Sequence, residues 1–67
     1  MTADQAFQVM NEVEAGQRRT DTIWVECMSR QEQDAVVARG KQLLQKGLVG
    51  QVGDENLQGL RAYISFV

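Results

Sequence analysis

The sequence predicts an α+β domain in which a three-stranded antiparallel sheet carries two helices on one face. Two segments with helical spacing of apolar residues and capping signals alternate with three segments rich in β-branched or aromatic residues, in the order α-β-α-β-β. The chain has 67 residues, which is enough for one small domain. A sheet with one polar face and helices on the other is the usual way for such a chain to bury its apolar side chains.

The first helix is predicted over residues 3–15. Thr2 and Gln5 have the spacing of a capping box, in which each side chain bonds the other residue's backbone N–H. Apolar side chains then recur at helical spacing at Ala3, Ala6, Phe7, Met10 and Val13. Gly16 is the predicted stop, because glycine tolerates the left-handed conformation that often ends a helix.

The first strand is predicted over residues 22–28, after a polar loop. Its residues alternate in character, which places Ile23, Val25 and Cys27 on one face of the strand. The same alternation places Thr22, Trp24 and Glu26 on the other face.

The second helix is predicted over residues 30–46. Ser29 and Glu32 have the spacing of another capping box at its start. An apolar stripe follows at Val36, Val37, Gly40, Leu43 and Leu44. Gly40 breaks the pattern of that stripe, because packing at its position favours a larger side chain.

The second strand is predicted over residues 48–52, followed by a polar breaker at 53–56 and a loop that runs to Gly59. Residues 60–67 alternate in character and form the third predicted strand, with Ala62, Ile64 and Phe66 on the face that matches the helices. The last two strands are expected to form a hairpin.

The composition lacks most of the side chains on which catalysis and metal binding depend. The chain has no histidine and a single cysteine, Cys27, so zinc sites built from cysteine and histidine are excluded. The carboxylates do not have the spacing of a calcium loop. Cys27 has no histidine to act as its base, and its strand face is apolar, which is typical of a buried, unreactive thiol. We expect no catalytic residues, metal or cofactor, and no enzymatic activity.

The net charge of −2 does not indicate a strongly charged partner. A single cysteine is compatible with a reducing compartment, and no long apolar run is present, so a cytoplasmic protein without membrane contact is expected. A domain of this size has a small core, and we expect self-association to contribute to its stability.

The strand face opposite the helices is the strongest candidate for a binding surface. The alternation places two large aromatic side chains there, Trp24 and Tyr63, together with Arg61, Glu26 and Val67. Exposed aromatic residues commonly mark an interface. The sequence therefore predicts a small interaction or regulatory protein that binds a protein partner, or a second copy of itself, through this face.

Two alternative functions involve nucleic acid. The segment from Leu43 to Phe66 resembles the wing of winged-helix DNA-binding domains, which implies a recognition helix over 30–46 with phosphate contacts from Arg39, Lys41 and Lys46. The chain departs from that pattern in lacking the short helix before the recognition helix and in having an acidic wing tip. Stacking of bases on Trp24 and Tyr63 is the other alternative, and it requires more basic residues than Arg61 nearby.

Overall fold

A computed structural model describes all 67 residues and confirms the α+β fold with the predicted order of elements. The elements are α1 (Ala3–Glu14), β1 (Thr22–Glu26), α2 (Arg30–Gln45), β2 (Val49–Glu55) and β3 (Arg61–Phe66). The three strands form one antiparallel sheet in the order β1-β3-β2, so β3 is the central strand.

Helix α1 begins and ends as the sequence predicts, to within one residue. The Thr2 hydroxyl accepts a hydrogen bond from the Gln5 N–H at 3.2 Å, and the Gln5 side chain accepts one from the Thr2 N–H at 2.9 Å. Gly16 has a φ of +73°, the left-handed conformation that glycine adopts without strain. The predicted capping box and the predicted stop are both confirmed.

Helix α2 begins with a different cap from the predicted one. The Ser29 hydroxyl accepts a hydrogen bond from the Glu32 N–H at 3.1 Å, as expected. The Glu32 carboxylate, however, accepts from the Met28 N–H at 2.9 Å, one residue before Ser29. The cap therefore holds the turn that connects β1 to α2 as well as the helix start.

Strand β2 is longer at its end than predicted, and the predicted breaker at 53–56 is wrong for most of its length. Gly53, Asp54 and Glu55 continue β2 and pair with Tyr63, Ala62 and Arg61. Local propensity disfavours glycine and acidic residues in strands, but pairing with the central strand outweighs it. The other two strands are shorter than predicted: β1 ends at Glu26 rather than 28, and β3 spans Arg61–Phe66 rather than 60–67.

The core lies between the two helices and one face of the sheet. Its buried apolar residues are Ala3, Ala6, Val9, Met10, Ile23, Val25, Val36, Leu43, Val49, Ala62 and Ile64. Gly40 of α2 is buried against the sheet, where an added β-carbon would lie 3.1 Å from both methyl groups of Val52. The expectation of a larger residue at this position is therefore wrong, because glycine allows the close approach of α2 to β2.

The two helices begin at the same end of the molecule and run side by side. Arg39 of α2 contacts Glu14 at the end of α1, with Nη2 to Oε1 at 2.7 Å, and Lys46 contacts the same carboxylate at 2.5 Å. At the other end, the Glu26 N–H donates to the Met1 carbonyl at 2.8 Å, which covers the outer edge of β1. Neither helix has the length and apolar composition needed to cross a membrane.

Candidate interaction surface

The sheet face opposite the helices carries three rows of side chains across the strands. The middle row contains Trp24 of β1, Tyr63 of β3 and Gly53 of β2, which are direct register partners. The rows on either side of it are Glu26–Arg61–Glu55 and Thr22–Ser65–Gln51. We call Trp24, Tyr63 and Arg61 the aromatic platform.

The two aromatic rings of the platform are in contact. The ring centroids of Trp24 and Tyr63 lie 5.3 Å apart, within the range of interacting aromatic pairs, and the ring planes are tilted by 46°. Trp24 is 42% exposed, an unusual amount for the largest apolar side chain in a domain of this size. The sequence-based assignment of Trp24 to the face away from the helices is therefore confirmed.

The ring of Tyr63 lies over the backbone of β2 at Gly53, which has no side chain to occupy that space. An added β-carbon at Gly53 would lie 2.7 Å from Tyr63 Cε1, which is closer than such atoms approach in proteins. The ring of Tyr63 therefore covers β2 at this point, an arrangement that protects a glycine in a strand. The missing side chain of Gly53 fixes the position of the tyrosine ring.

Arg61 lies in the row beside the two aromatic residues and contacts the Trp24 ring. Its guanidinium carbon lies 4.6 Å from the centroid of the Trp24 ring, within the range of a cation–π contact. Its guanidinium also forms an ion pair with Glu55, its register partner on β2. The hydrogen bond with Glu55 is the main cause of a raised pKa for Arg61, and the nearby Glu26 carboxylate adds to it. The same contact lowers the pKa of Glu55.

The structure brings together four of the five predicted binding residues and separates the fifth. Trp24, Tyr63, Arg61 and Glu26 form two adjacent rows of the sheet. Val67 lies past the end of β3, four residues beyond Tyr63, and is 83% exposed. Its N–H donates to the Leu48 carbonyl at 3.0 Å, so it belongs to the opposite end of the sheet from Arg61.

A buried glutamine that was not predicted from the sequence supports the platform from the helix side of the sheet. Gln33 of α2 is completely buried, and its Nε2 donates to the Arg61 carbonyl at 2.8 Å and to Asn56 Oδ1 at 2.6 Å. These bonds tie the first residue of β3 and the hairpin tip to α2. The only signal for it in the sequence is its spacing, because Gln33 lies three residues before Val36 and so on the same side of α2 as the apolar stripe.

The thiol has no activating neighbour. Cys27 is half-buried against the core, and its sulfur lies 4.0 Å from the Val25 carbonyl. Burial raises the pKa of the thiol, and the carboxylates of Glu32 and Glu26 add to the rise. No three residues among the cysteine and carboxylates of the structure come close enough together to hold a metal ion.

Comparison of the chain with protein-family models, with curated proteins and with solved structures finds no significant match.

Proposed function

We propose that this protein is a non-catalytic interaction protein that binds a protein partner, or a second copy of itself, through the aromatic platform. The observation that carries the proposal is the contact between Trp24 and Tyr63 on an uncovered sheet face, held on both sides by Gly53 and Arg61. Two preorganised aromatic rings with an arginine beside them have the composition of an interface centre. Arg61 already contacts Glu55 and Trp24, so its side chain loses little conformational entropy on binding.

A cytoplasmic location is part of this proposal. Its support is the single cysteine, which cannot form a disulfide within the chain and is free in the structure.

The nucleic-acid alternative has less support from the charges around α2. Arg39 and Lys46, two of its three candidate phosphate contacts, both bind the carboxylate of Glu14. The hairpin that would act as the wing has Asp54 and Glu55 near its tip. A phosphate backbone is repelled by such carboxylates, and contact with several phosphates requires free cations.

Trp24 is the only tryptophan of the chain, so its fluorescence reports directly on the platform. We expect the emission to shift to shorter wavelength, and quenching by acrylamide to weaken, when a partner or a second copy covers the indole. A titration of the pure protein by dilution, from about 1 mM to about 1 μM, spans the affinities typical of weak self-association. A shift within this range identifies self-docking.

Replacing Trp24 by alanine should weaken docking by about 2 kcal/mol, which is roughly 30-fold, because truncated aromatic anchors commonly cost this much. Helical circular dichroism should remain unchanged, because the side chain lies outside the core. Leu44→Ala is the matched control, since Leu44 is 41% exposed on α2 and lies away from the sheet face. Light scattering measures self-association. When the dilution series shows no shift, the wild type, Trp24→Ala and Leu44→Ala are each used for affinity purification. A partner of the platform is retained by the wild type and by Leu44→Ala, and it is lost with Trp24→Ala.

Two results contradict the proposal. An unfolded Trp24→Ala variant shows that the side chain supports the fold, since core truncation costs about 3–5 kcal/mol. A folded variant that docks as the wild type does shows that the platform is not the binding surface.

A further inference from the structure

An exposed leucine on the hairpin tip has no partner within the molecule. Leu57 is 93% exposed between β2 and β3, more than any other large apolar residue. Its N–H donates to the Glu55 carboxylate at 2.6 Å, which connects the tip to the end of β2. Asp54, at the base of the tip, is exposed and forms no ion pair. We call residues 54–59 the acidic tip.

An open cavity of about 300 Å³ lies at the other end of the molecule. Its apolar lining comes from Val13, Leu48, Phe66 and Val67. Arg19 also lines it, is exposed and forms no ion pair, whereas the neighbouring Arg18 is paired with Glu12 at 2.9 Å. The cavity therefore offers an apolar floor with one free guanidinium at its rim, which complements the acidic tip.

The charges of the whole molecule are separated in the same direction. The tip end has six acidic residues and two basic ones: Asp4, Glu26, Glu32, Asp34, Asp54 and Glu55, with Arg30 and Arg61. The cavity end has five basic residues and three acidic ones: Arg18, Arg19, Arg39, Lys41 and Lys46, with Glu12, Glu14 and Asp21. The tip end therefore has a net charge of −4 and the cavity end a net charge of +2, so opposite ends of two copies attract each other.

We propose that this protein assembles head to tail, with Leu57 of one copy seated in the cavity of the next and Asp54 paired with Arg19. The tip and the cavity lie at opposite ends of β3, so a copy cannot fill its own cavity. A contact between two different surfaces is heterologous and leaves one tip and one cavity free for further copies. This contact does not involve the aromatic platform and stands independently of the proposed function.

Charge reversal at the two ends provides the test, with sedimentation velocity on the full chain over a concentration series. The wild type should assemble beyond a dimer in about 0.05 M salt and dissociate in about 0.5 M salt, where screening is strong. Asp54→Arg and Arg19→Asp should each weaken assembly by about tenfold or more, because each places like charges together. An equimolar mixture of the two variants should regain assembly, since each end then meets its complement.

Matched controls separate the contact from net charge. Asp34→Arg and Lys41→Asp change the net charge by the same amounts at the same ends, and we expect both to assemble as the wild type does. Leu57→Ser leaves the net charge unchanged and should reduce assembly in about 0.05 M salt, because it removes the apolar side chain that is seated in the cavity. The proposal is overturned when the wild type is monomeric throughout the series, when the mixture fails to regain assembly, or when Trp24→Ala abolishes assembly and Asp54→Arg does not. The last result assigns the contact to the platform instead.

Discussion

At the scale of single residues, the glycine at position 53 organises the candidate surface. It lies in β2 opposite Tyr63, and the ring of that tyrosine occupies the space of its missing side chain. Glycine in a strand weakens it through backbone entropy, so the position needs a packing reason. The contact with Tyr63 supplies that reason and links all three strands through one row.

We expect Gly53→Ala to displace the Tyr63 ring while the domain remains folded. The tyrosine can rotate away into solvent, and alanine improves strand stability by about 0.5–1 kcal/mol, so the net change in unfolding free energy should be small. Near-ultraviolet circular dichroism should lose the signal that arises from contact between Trp24 and Tyr63. Gly50→Ala is the control, because a β-carbon there would meet its nearest atoms at 3.8 Å. An unchanged near-ultraviolet spectrum in Gly53→Ala contradicts the proposed role of the glycine.

At the scale of elements, the ends of α1 and α2 are joined by one carboxylate. Glu14 binds both Arg39 and Lys46, and Asn11 accepts a further bond from Arg39 at 3.0 Å. The hydrogen bond from Arg39, followed by that from Lys46, lowers the pKa of Glu14 from 4.5 to about 2. A carboxyl whose pKa is lower in the folded state stabilises the fold above its unfolded pKa. That contribution is lost as the pH falls from 4.5 toward 2.

We expect Glu14→Gln to remove part of the acid sensitivity of the fold. The melting temperature of the wild type should fall more steeply than that of the variant between pH 4.5 and pH 2, because the variant has no Glu14 carboxylate to protonate. Thermal unfolding followed by circular dichroism in this range measures the difference. Glu12→Gln is the control, because Arg18 is the only cation that contacts it and a smaller change is expected. Parallel curves for wild type and Glu14→Gln contradict this assignment.

At the scale of the whole molecule, the net charge of −2 is divided unevenly between the tip end and the cavity end. The basic residues cluster at the cavity end, but Arg18, Arg39 and Lys46 are paired with carboxylates there. Binding to a phosphate backbone depends on several free cations that release counterions. These ion pairs leave few free cations at the cavity end for such a contact.

We expect no binding to random-sequence duplex DNA at low micromolar protein in about 0.15 M salt, measured by mobility shift. A DNA complex that weakens steeply with added salt is the opposite result, and it restores the winged-helix alternative. Lys41→Gln then tests the candidate phosphate contact that forms no ion pair. Lys46→Gln is the comparison, because Lys46 is paired with Glu14.

The sequence by itself determined the order of elements, the helix starts and the two faces of the sheet. These features depend on local signals: the capping residues at Thr2 and Ser29, the helical spacing of apolar side chains and the alternation around Trp24 and Tyr63. Each signal lies within a few residues of the element that it specifies.

The tertiary structure alone decided the features that depend on contacts between distant segments. Gly53–Glu55 became strand because β3 pairs with them, and a glycine fits at position 40 because α2 approaches Val52 closely. Gln33 is buried because the Arg61 carbonyl and Asn56 lie across the layer from it. These partners lie between 6 and 28 residues apart and belong to different elements, so no pattern within one segment specifies them.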